Sequence, residues 1–264
     1  MEVSVSFLPL EDKEKLLARR KKLYKRLTTA LDGMWESLYI AQSNNVEICI
    51  DGKAAGYCCI DQHKSLNQIY LEDQYLGFMN QVILRLISTE RVHKAQMSSI
   101  EPISFNACLA HSKSLEKNTL CFQFPQSKKQ GTFPKKMRLA EPDDQEKVRG
   151  FYKDEVGFED TFGYVKNVIH RGELLLLEEE GIILGTGECR LSETQIDFAD
   201  LGVAVKADQR GKGLATQILK EMLGKALGQE RRPICSTTID NIGSQKAIQR
   251  AGLYLSHYIF DITF

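Results

Sequence analysis

Between Asp197 and Ala215 the chain reads Asp-Phe-Ala-Asp-Leu-Gly-Val-Ala-Val-Lys-Ala-Asp-Gln-Arg-Gly-Lys-Gly-Leu-Ala, and this stretch restricts the fold most tightly. Leu201 to Val205 is an apolar, β-branched run, and Lys206 to Gln209 is a polar turn. Apolar residues then recur at helical spacing through Leu214, Ile218, Leu219, Met222, Leu223 and Ala226. The pattern predicts a strand, a turn and a glycine-opened helix over Gly211 to Leu227. Gly211 and Gly213 lack side chains, so successive backbone N–H groups can close around an anion. A helix has no internal acceptors for its first N–H groups, and its dipole is positive at that end. A phosphate or diphosphate is the expected guest.

Two better-known phosphate loops do not fit. A Walker loop needs Gly-x-x-x-x-Gly-Lys-Ser/Thr, which does not occur here. A dinucleotide fingerprint needs a third glycine where Gly213 is followed by Leu214, Ala215 and Thr216. Arg-x-x-Gly-x-Ala directly after a Val-x-Val strand instead resembles the diphosphate-binding motif of the GNAT acyltransferase superfamily. A second stretch carries the same resemblance: Asn241, Ser244, Ala247, Gly252 and Leu253, with Asp240-Asn241 leaving a strand and Gly252 suited to end a helix.

The surrounding order supports the resemblance. Met137 to Ala140 reads as a short strand, Glu141 to Val156 and Val165 to Arg171 as helices, and Leu174 to Glu178 with Ile182 to Arg190 as a hairpin. The strand Phe198 to Val205 and the glycine-opened helix follow. Then come a strand over Pro233 to Ile239, a helix over Ser244 to Ala251, and one or two closing strands over Tyr254 to Phe264. The first part repeats this order in weaker form. Lys13 to Leu38 is helical, as one helix or as two broken near Asp32-Gly33, and Asp51-Gly52-Lys53 separates two hairpin strands, Val46 to Ile50 and Ala54 to Ile60. Leu66 to Leu71, Lys94 to Ile100 and Thr119 to Phe124 are strand-like, while Phe78 to Ile87 and Phe105 to His111 are helical. Val46 to Ile60 echoes Leu174 to Arg190. The expected architecture is α+β (mixed α/β): two tandem GNAT-like domains over 1–126 and 137–264, joined by a polar, proline-bounded linker over 127–136.

In the first part the strand Leu66 to Leu71 is followed by Glu72-Asp73-Gln74-Tyr75-Leu76-Gly77. Two carboxylates and one glycine cradle a diphosphate poorly, so this half is expected not to bind CoA.

The resemblance implies an acetyl-CoA-dependent N-acetyltransferase acting on a primary amine of a small molecule or peptide. It places pantetheine contacts at Val203, Ala204 and Val205, and the diphosphate at Arg210, Gly211, Lys212, Gly213, Leu214 and Ala215. Asn241 and Ser244 lie beside the pantetheine, although Asn241 also suits a helix cap. Relatives place an acid just before the Leu-Gly-Val segment, where Asp200 stands as the candidate base, with Glu188 as the alternative. Many carry a tyrosine in the last helix as acid for the leaving thiolate, where this chain has Ile248. Tyr254 is the candidate substitute, with Tyr258 and water as alternatives, since a thiol titrates near about pH 8.5. The missing tyrosine also leaves open a CoA-binding regulatory or scaffold protein without catalysis.

Thirty-five basic and 35 acidic residues cancel, which gives no overall field toward nucleic acid or a membrane surface. The basic run Arg19, Arg20, Lys21, Lys22, Lys25 and Arg26 reads as a solvated helix face. No apolar run reaches the roughly 20 residues that span a bilayer, and the first residues lack the order of a signal peptide. A cytoplasmic monomer or homodimer is expected. The seven cysteines and five histidines are scattered without metal-ligand spacing, so reduced, buried thiols and no metal are expected.

Overall fold

The computed structural model describes residues 3–125 and 137–264. The expected linker over 127–136 lies outside the described residues. The chain divides into two compact units: Met1–Leu120 with His257–Phe264, and Cys121–Ser256.

The first unit opens with β1 (Val5–Pro9) and α1 (Lys13–Arg26), whose first turn is capped by Asp12 accepting from the Lys15 amide at 3.0 Å. The second helical piece is a single wide turn at Trp35–Ile40, opened by Asp32 accepting from the Trp35 amide at 2.7 Å. β2 (Asn44–Ile50) and β3 (Lys53–Ile60) form the hairpin, with Asp51 and Gly52 at φ 49° and 74°. That is the paired left-handed geometry Asp-Gly favours. β4 (Ser65–Leu71) and a 3-10 turn at Asp73–Phe78 run into α2 (Met79–Ser88). β5 (Lys94–Ser98) and α3 (Pro102–Leu109) follow, and β6 (Ser114–Gln123) carries the chain toward the second unit. The unit's core lies between the α2 side of the sheet and the helices, around Ile48, Cys58, Ile69, Leu71, Val82 and Ile83.

The basic face of α1 is solvated only in part: Lys21, Lys22 and Lys25 are exposed, whereas Arg20 and Arg26 are half-buried and Arg19 is buried. Helical periodicity puts Arg19, Lys22 and Arg26 on one stripe, and the sheet beneath offers them acceptors. Arg19, 6% exposed, donates to Glu47 at 2.9 Å and to Gly56 O at 3.1 Å. Lys22 pairs with Glu72 at 2.8 Å and Arg26 with Asp73 at 2.5 Å. The apolar stems of such residues pack on the sheet while their heads find partners, which a charge count does not register.

The second unit contains β7 (Arg138–Leu139), α4 (Gln145–Val156), α5 (Tyr164–His170), β8 (Leu174–Glu179), β9 (Ile182–Leu191) and β10 (Phe198–Val205). These are followed by α6 (Leu214–Gly228), β11 (Arg232–Thr238) and α7 (Ile242–Ala251). A single closing strand, β12 (Tyr254–Thr263), returns the chain to the first unit, where Ile259 to Thr263 pair with β5. Within the second unit the strand order is β11-β10-β9-β8-β7. α6 starts at Leu214 rather than Gly211, because Gly211 and Gly213 adopt left-handed φ of 78° and 82° and keep the preceding loop out of the helix. α6 lies close on β9 because Gly185 and Gly187 face it. A Cβ on Gly187 would stand 2.9 Å from both Ile218 Cγ2 and Met222 Sδ. All seven cysteines are buried and unbridged.

Candidate functional site

β10 and β11 are parallel neighbours only from Phe198↔Arg232 to Asp200↔Ile234, although both strands continue beyond. On its other edge β10 stays paired with β9 out to Val205↔Gly185. From Leu201 onward β10 therefore has one edge without β11, and backbone N–H and C=O groups on such an edge must find other partners.

A cleft of about 470 Å³ lies at this parting. It is lined by Val203, Ala204 and Val205 of β10, by Arg210, Gly211 and Gly213 of the loop, by Leu214 and Ala215 of α6, and by Asn241 and Ser244 of α7. The structure thus gathers all of the expected donor-site residues except Lys212, which is exposed and donates to Gln209 Oε1 at 3.2 Å. The first amides of α6, from Leu214 on, have no intrahelical acceptor and sit at the positive end of a helix of four turns. Gly211 and Gly213 have open space around them, so their glycine character is needed for backbone conformation rather than clearance.

Arg210 has a structural duty as well. Its Nε donates to Val205 O at 3.0 Å and its Nη2 to Glu155 O at 2.5 Å, while the Glu155 carboxylate accepts from the Ala207 amide at 2.6 Å. Arg210 and Glu155 thus lock the loop to the end of α4. Asn241 caps α7, its Oδ1 accepting from the Ser244 amide at 3.0 Å, and its amide N–H group is not used in that bond.

The two expected catalytic groups do not line this cleft. Asp200 is 3% exposed and ion-paired to Arg190 at 2.9 Å. Arg190 also bonds the Glu188 carboxylate and the Tyr164 hydroxyl, and Glu188 accepts from Tyr152 and from Tyr164, the latter at 2.5 Å. Burial and the facing Glu188 carboxylate push the Tyr152 phenol well up, and burial pushes Tyr164 up, so both act as donors. This network crosses from α4 and α5 to the β9–β10 face and fills the space above Gly202, where a Cβ would stand 2.8 Å from Arg190 Nη1. Tyr254 is half exposed on β12 and its hydroxyl lies 3.5 Å from Gln123 Oε1. Ile248 is fully buried in the core side of α7. Asp160 caps α5 through the Tyr164 and Val165 amides, and Glu159 pairs with Lys153, so neither loop carboxylate is uncommitted.

Sequence reasoning missed Glu155, Thr216, Lys246 and Arg250, which also line the cleft. For α7 a signal existed: Gly243, Lys246, Ala247 and Arg250 fall on one helical stripe. Glu155 had none, since its partners are brought to it by the fold.

The first unit parts its strands in the same way. β4 and β5 pair only at Ser65↔Lys94 and Leu66↔Ala95. Here, however, the far ends are bridged by the chain itself. Arg26 Nη1 donates to Leu71 O at 2.8 Å, and two residues on, the Thr28 amide donates to Ile100 O at 3.0 Å. Glu72 and Asp73 are held by α1, and the loop is wound into the 3-10 turn with no left-handed residue.

A family model described as an acetyltransferase (GNAT) domain matches residues 12–124, and another of the same description matches residues 118–254. No functionally curated protein matches the sequence. Among solved structures, a GNAT-family acetyltransferase from Colwellia psychrerythraea aligns with a TM-score of 0.91 at 27% identity, covering 98% of this chain and 99% of its own. A GCN5-related N-acetyltransferase from Sphaerobacter thermophilus aligns at 0.67 and 15% identity, over 98% and 95% of the two chains. A tandem GNAT protein from the clavulanic acid biosynthesis pathway aligns at 0.63 and 11%, over 98% of each. These two share the fold. With two matching domain models, the second spanning the parted strands and the glycine loop, the chain belongs to the GNAT acetyltransferase family and carries two GNAT domains in tandem.

Proposed function

We propose that the second domain transfers an acetyl group from acetyl-CoA directly to a primary amine of a small molecule or peptide. The observation that carries this reading is the free edge of β10 from Leu201 to Val205, leading straight into the Arg210–Ala215 loop and the start of α6. Extended amide-bearing chains pair with such an edge, and diphosphates suit such a helix start. The residues fit the donor: Val203, Ala204 and Val205 for the pantetheine amides, Gly211, Gly213, Leu214 and Ala215 for the diphosphate, and Asn241 and Ser244 beside them. Arg210 holds the loop in place, and Lys212 contributes charge from outside the cleft.

In the reaction the neutral amine nitrogen bonds to the thioester carbonyl carbon, the carbon–sulfur bond breaks, the amine loses a proton and the thiolate gains one. Asp200 and Tyr254 are the residues proposed to serve these proton transfers. With Asp200 held by Arg190 and neither group lining the cleft, both act through water, and the thiolate needs little help to leave because its conjugate thiol, with a pKa of about 8.5, is a comparatively strong acid. The same two placements favour a second reading, a CoA-binding protein without turnover.

Titration calorimetry of acetyl-CoA against the full chain tests the donor site. We expect one site per chain, and loss of binding in an Arg210→Ala, Gly213→Glu double variant. No binding to the intact protein would overturn the proposal. Release of free CoA thiol across a panel of amines separates the two readings, since only an enzyme releases thiol in an amine-dependent way.

A further inference from the structure

The donor cleft has a second cationic element that the diphosphate reading does not use. Lys246 and Arg250 line it from α7, one turn apart on the stripe that begins at Gly243. Gly243 to Arg250 spans about 10 Å of helix axis, so these cations sit along the cleft wall well away from the α7 cap at Asn241. Ala247, between them on the stripe, lets α7 approach the start of α6, where Thr216 Oγ1 meets Ala247 O at 3.5 Å. The cleft's other charged residues, Glu155 and Arg210, pair with each other. Neither Lys246 nor Arg250 has an acidic partner among the described residues. Two neighbouring uncommitted cations on the wall of an anion-binding cleft call for a further anionic group on the same ligand.

We infer that Lys246 and Arg250 form a subsite for the 3′-phosphate of the donor's ribose, so that the protein selects the 3′-phosphorylated nucleotide over its dephosphorylated form. This rests on the acetyl-CoA reading of the cleft. A monoester phosphate carries close to two negative charges at neutral pH, and Arg and Lys bind it by charge-assisted hydrogen bonds.

The test is calorimetric binding of CoA and of 3′-dephospho-CoA to the full chain and to a Lys246→Ala, Arg250→Ala variant, with Tm measured for both proteins. Both side chains are exposed, so the variant keeps its fold. We expect the intact protein to bind CoA about tenfold more tightly than dephospho-CoA, with the gap shrinking as salt is raised. In the variant the gap closes because CoA weakens while dephospho-CoA binds as before. Lys246→Arg with Arg250→Lys restores it. Equal affinities in the intact protein, or a variant that weakens both ligands alike, overturns the subsite. Failure of the intact protein to bind either ligand overturns the acetyl-CoA reading itself.

Discussion

Gly187→Ala tests whether the proposed donor site depends on how closely α6 is pressed onto β9. The added Cβ would stand 2.9 Å from Ile218 Cγ2 and from Met222 Sδ, and 3.1 Å from Met222 Cγ. Non-bonded carbons rest at about 3.5–4.0 Å, so something must yield by roughly 0.6–1 Å. Ile218 and Met222 are buried, at 2% and 0% exposure, and a close-packed interior offers them no space to retreat into. Overpacking of this kind costs about 1–3 kcal/mol. If the helix yields rather than its side chains, the α6 start moves away from Val203 to Val205 and acetyl-CoA affinity falls as well. Met222→Ala alone leaves a cavity costing about 2–5 kcal/mol. The two together should cost at least about 1 kcal/mol less than their sum, because the new methyl group occupies vacated space. Urea denaturation followed by far-UV circular dichroism reads the stability, since the single tryptophan, Trp35, lies in the other unit. The reasoning is refuted if Gly187→Ala lies within about 0.5 kcal/mol of the parent, or if the double variant is additive.

Replacing Arg190 by Met strands the Glu188 and Asp200 carboxylates in the interior. It should cost about 3–5 kcal/mol by thermal denaturation, and a loss under about 1 kcal/mol would show that their remaining partners satisfy them. Glu101, 8% exposed at the cap of α3, has its carboxyl raised by burial from 4.5 to about 6. The folded state then holds its proton more tightly than the unfolded state, so stability falls as pH rises through that window, by about 2 kcal/mol. Followed by Trp35 fluorescence, Glu101→Gln should gain that much on the parent between pH 4.5 and 6.5, and parallel pH curves would sink the assignment. Arg26→Ala removes the bond to Leu71 O and the 4.5 Å contact over the Tyr70 ring. It should destabilise the first unit by about 1–3 kcal/mol while leaving the acetyl-CoA dissociation constant unchanged; a shifted constant would implicate the first unit in donor binding.

Much of the second domain was legible because its signals are local. The β-branched run before Lys206, the two glycines before α6 and Gly252 after α7 each fix backbone conformation within a few residues. The Asp51-Gly52 hairpin was legible for the same reason. What escaped reading depends on pairs far apart in the chain. Arg19 looked solvated because Glu47 and Gly56 lie 28 and 37 residues away. The pairing of Asp200 with Arg190 on the adjacent strand was not legible, and Tyr152 and Tyr164 come from helices that no strand pattern places over Glu188. Glu155 lines the cleft only because Arg210 and the Ala207 amide reach it across 55 and 52 residues.

The two domains show which part of the design is tied to the fold and which to binding. Both part a pair of parallel strands after two or three residues, at Leu66↔Ala95 and at Asp200↔Ile234, so the parting itself does not require a glycine loop. A parted pair leaves backbone groups that must be satisfied from somewhere. In the first domain the chain supplies them: the end of α1 and the residues just after it reach Leu71 and Ile100 through Arg26 and Thr28, and the carboxylates of Glu72 and Asp73 hold that end by pairing with α1. In the second domain the equivalent end, Val205 O, is met by Arg210 from the loop itself, which leaves the edge between Leu201 and Val205 facing a cleft rather than a covering segment. Replacing an internal plug with a ligand requires two changes together: removal of the acids that hold the plug, and glycines that let the loop turn its amides outward. Glu72 and Asp73 follow β4 directly and open a loop with no left-handed residue, whereas the loop after β10 carries no such acidic pair at its start and turns at Gly211 and Gly213, both with left-handed φ. That contrast is the physical reason only the second domain is assigned the donor.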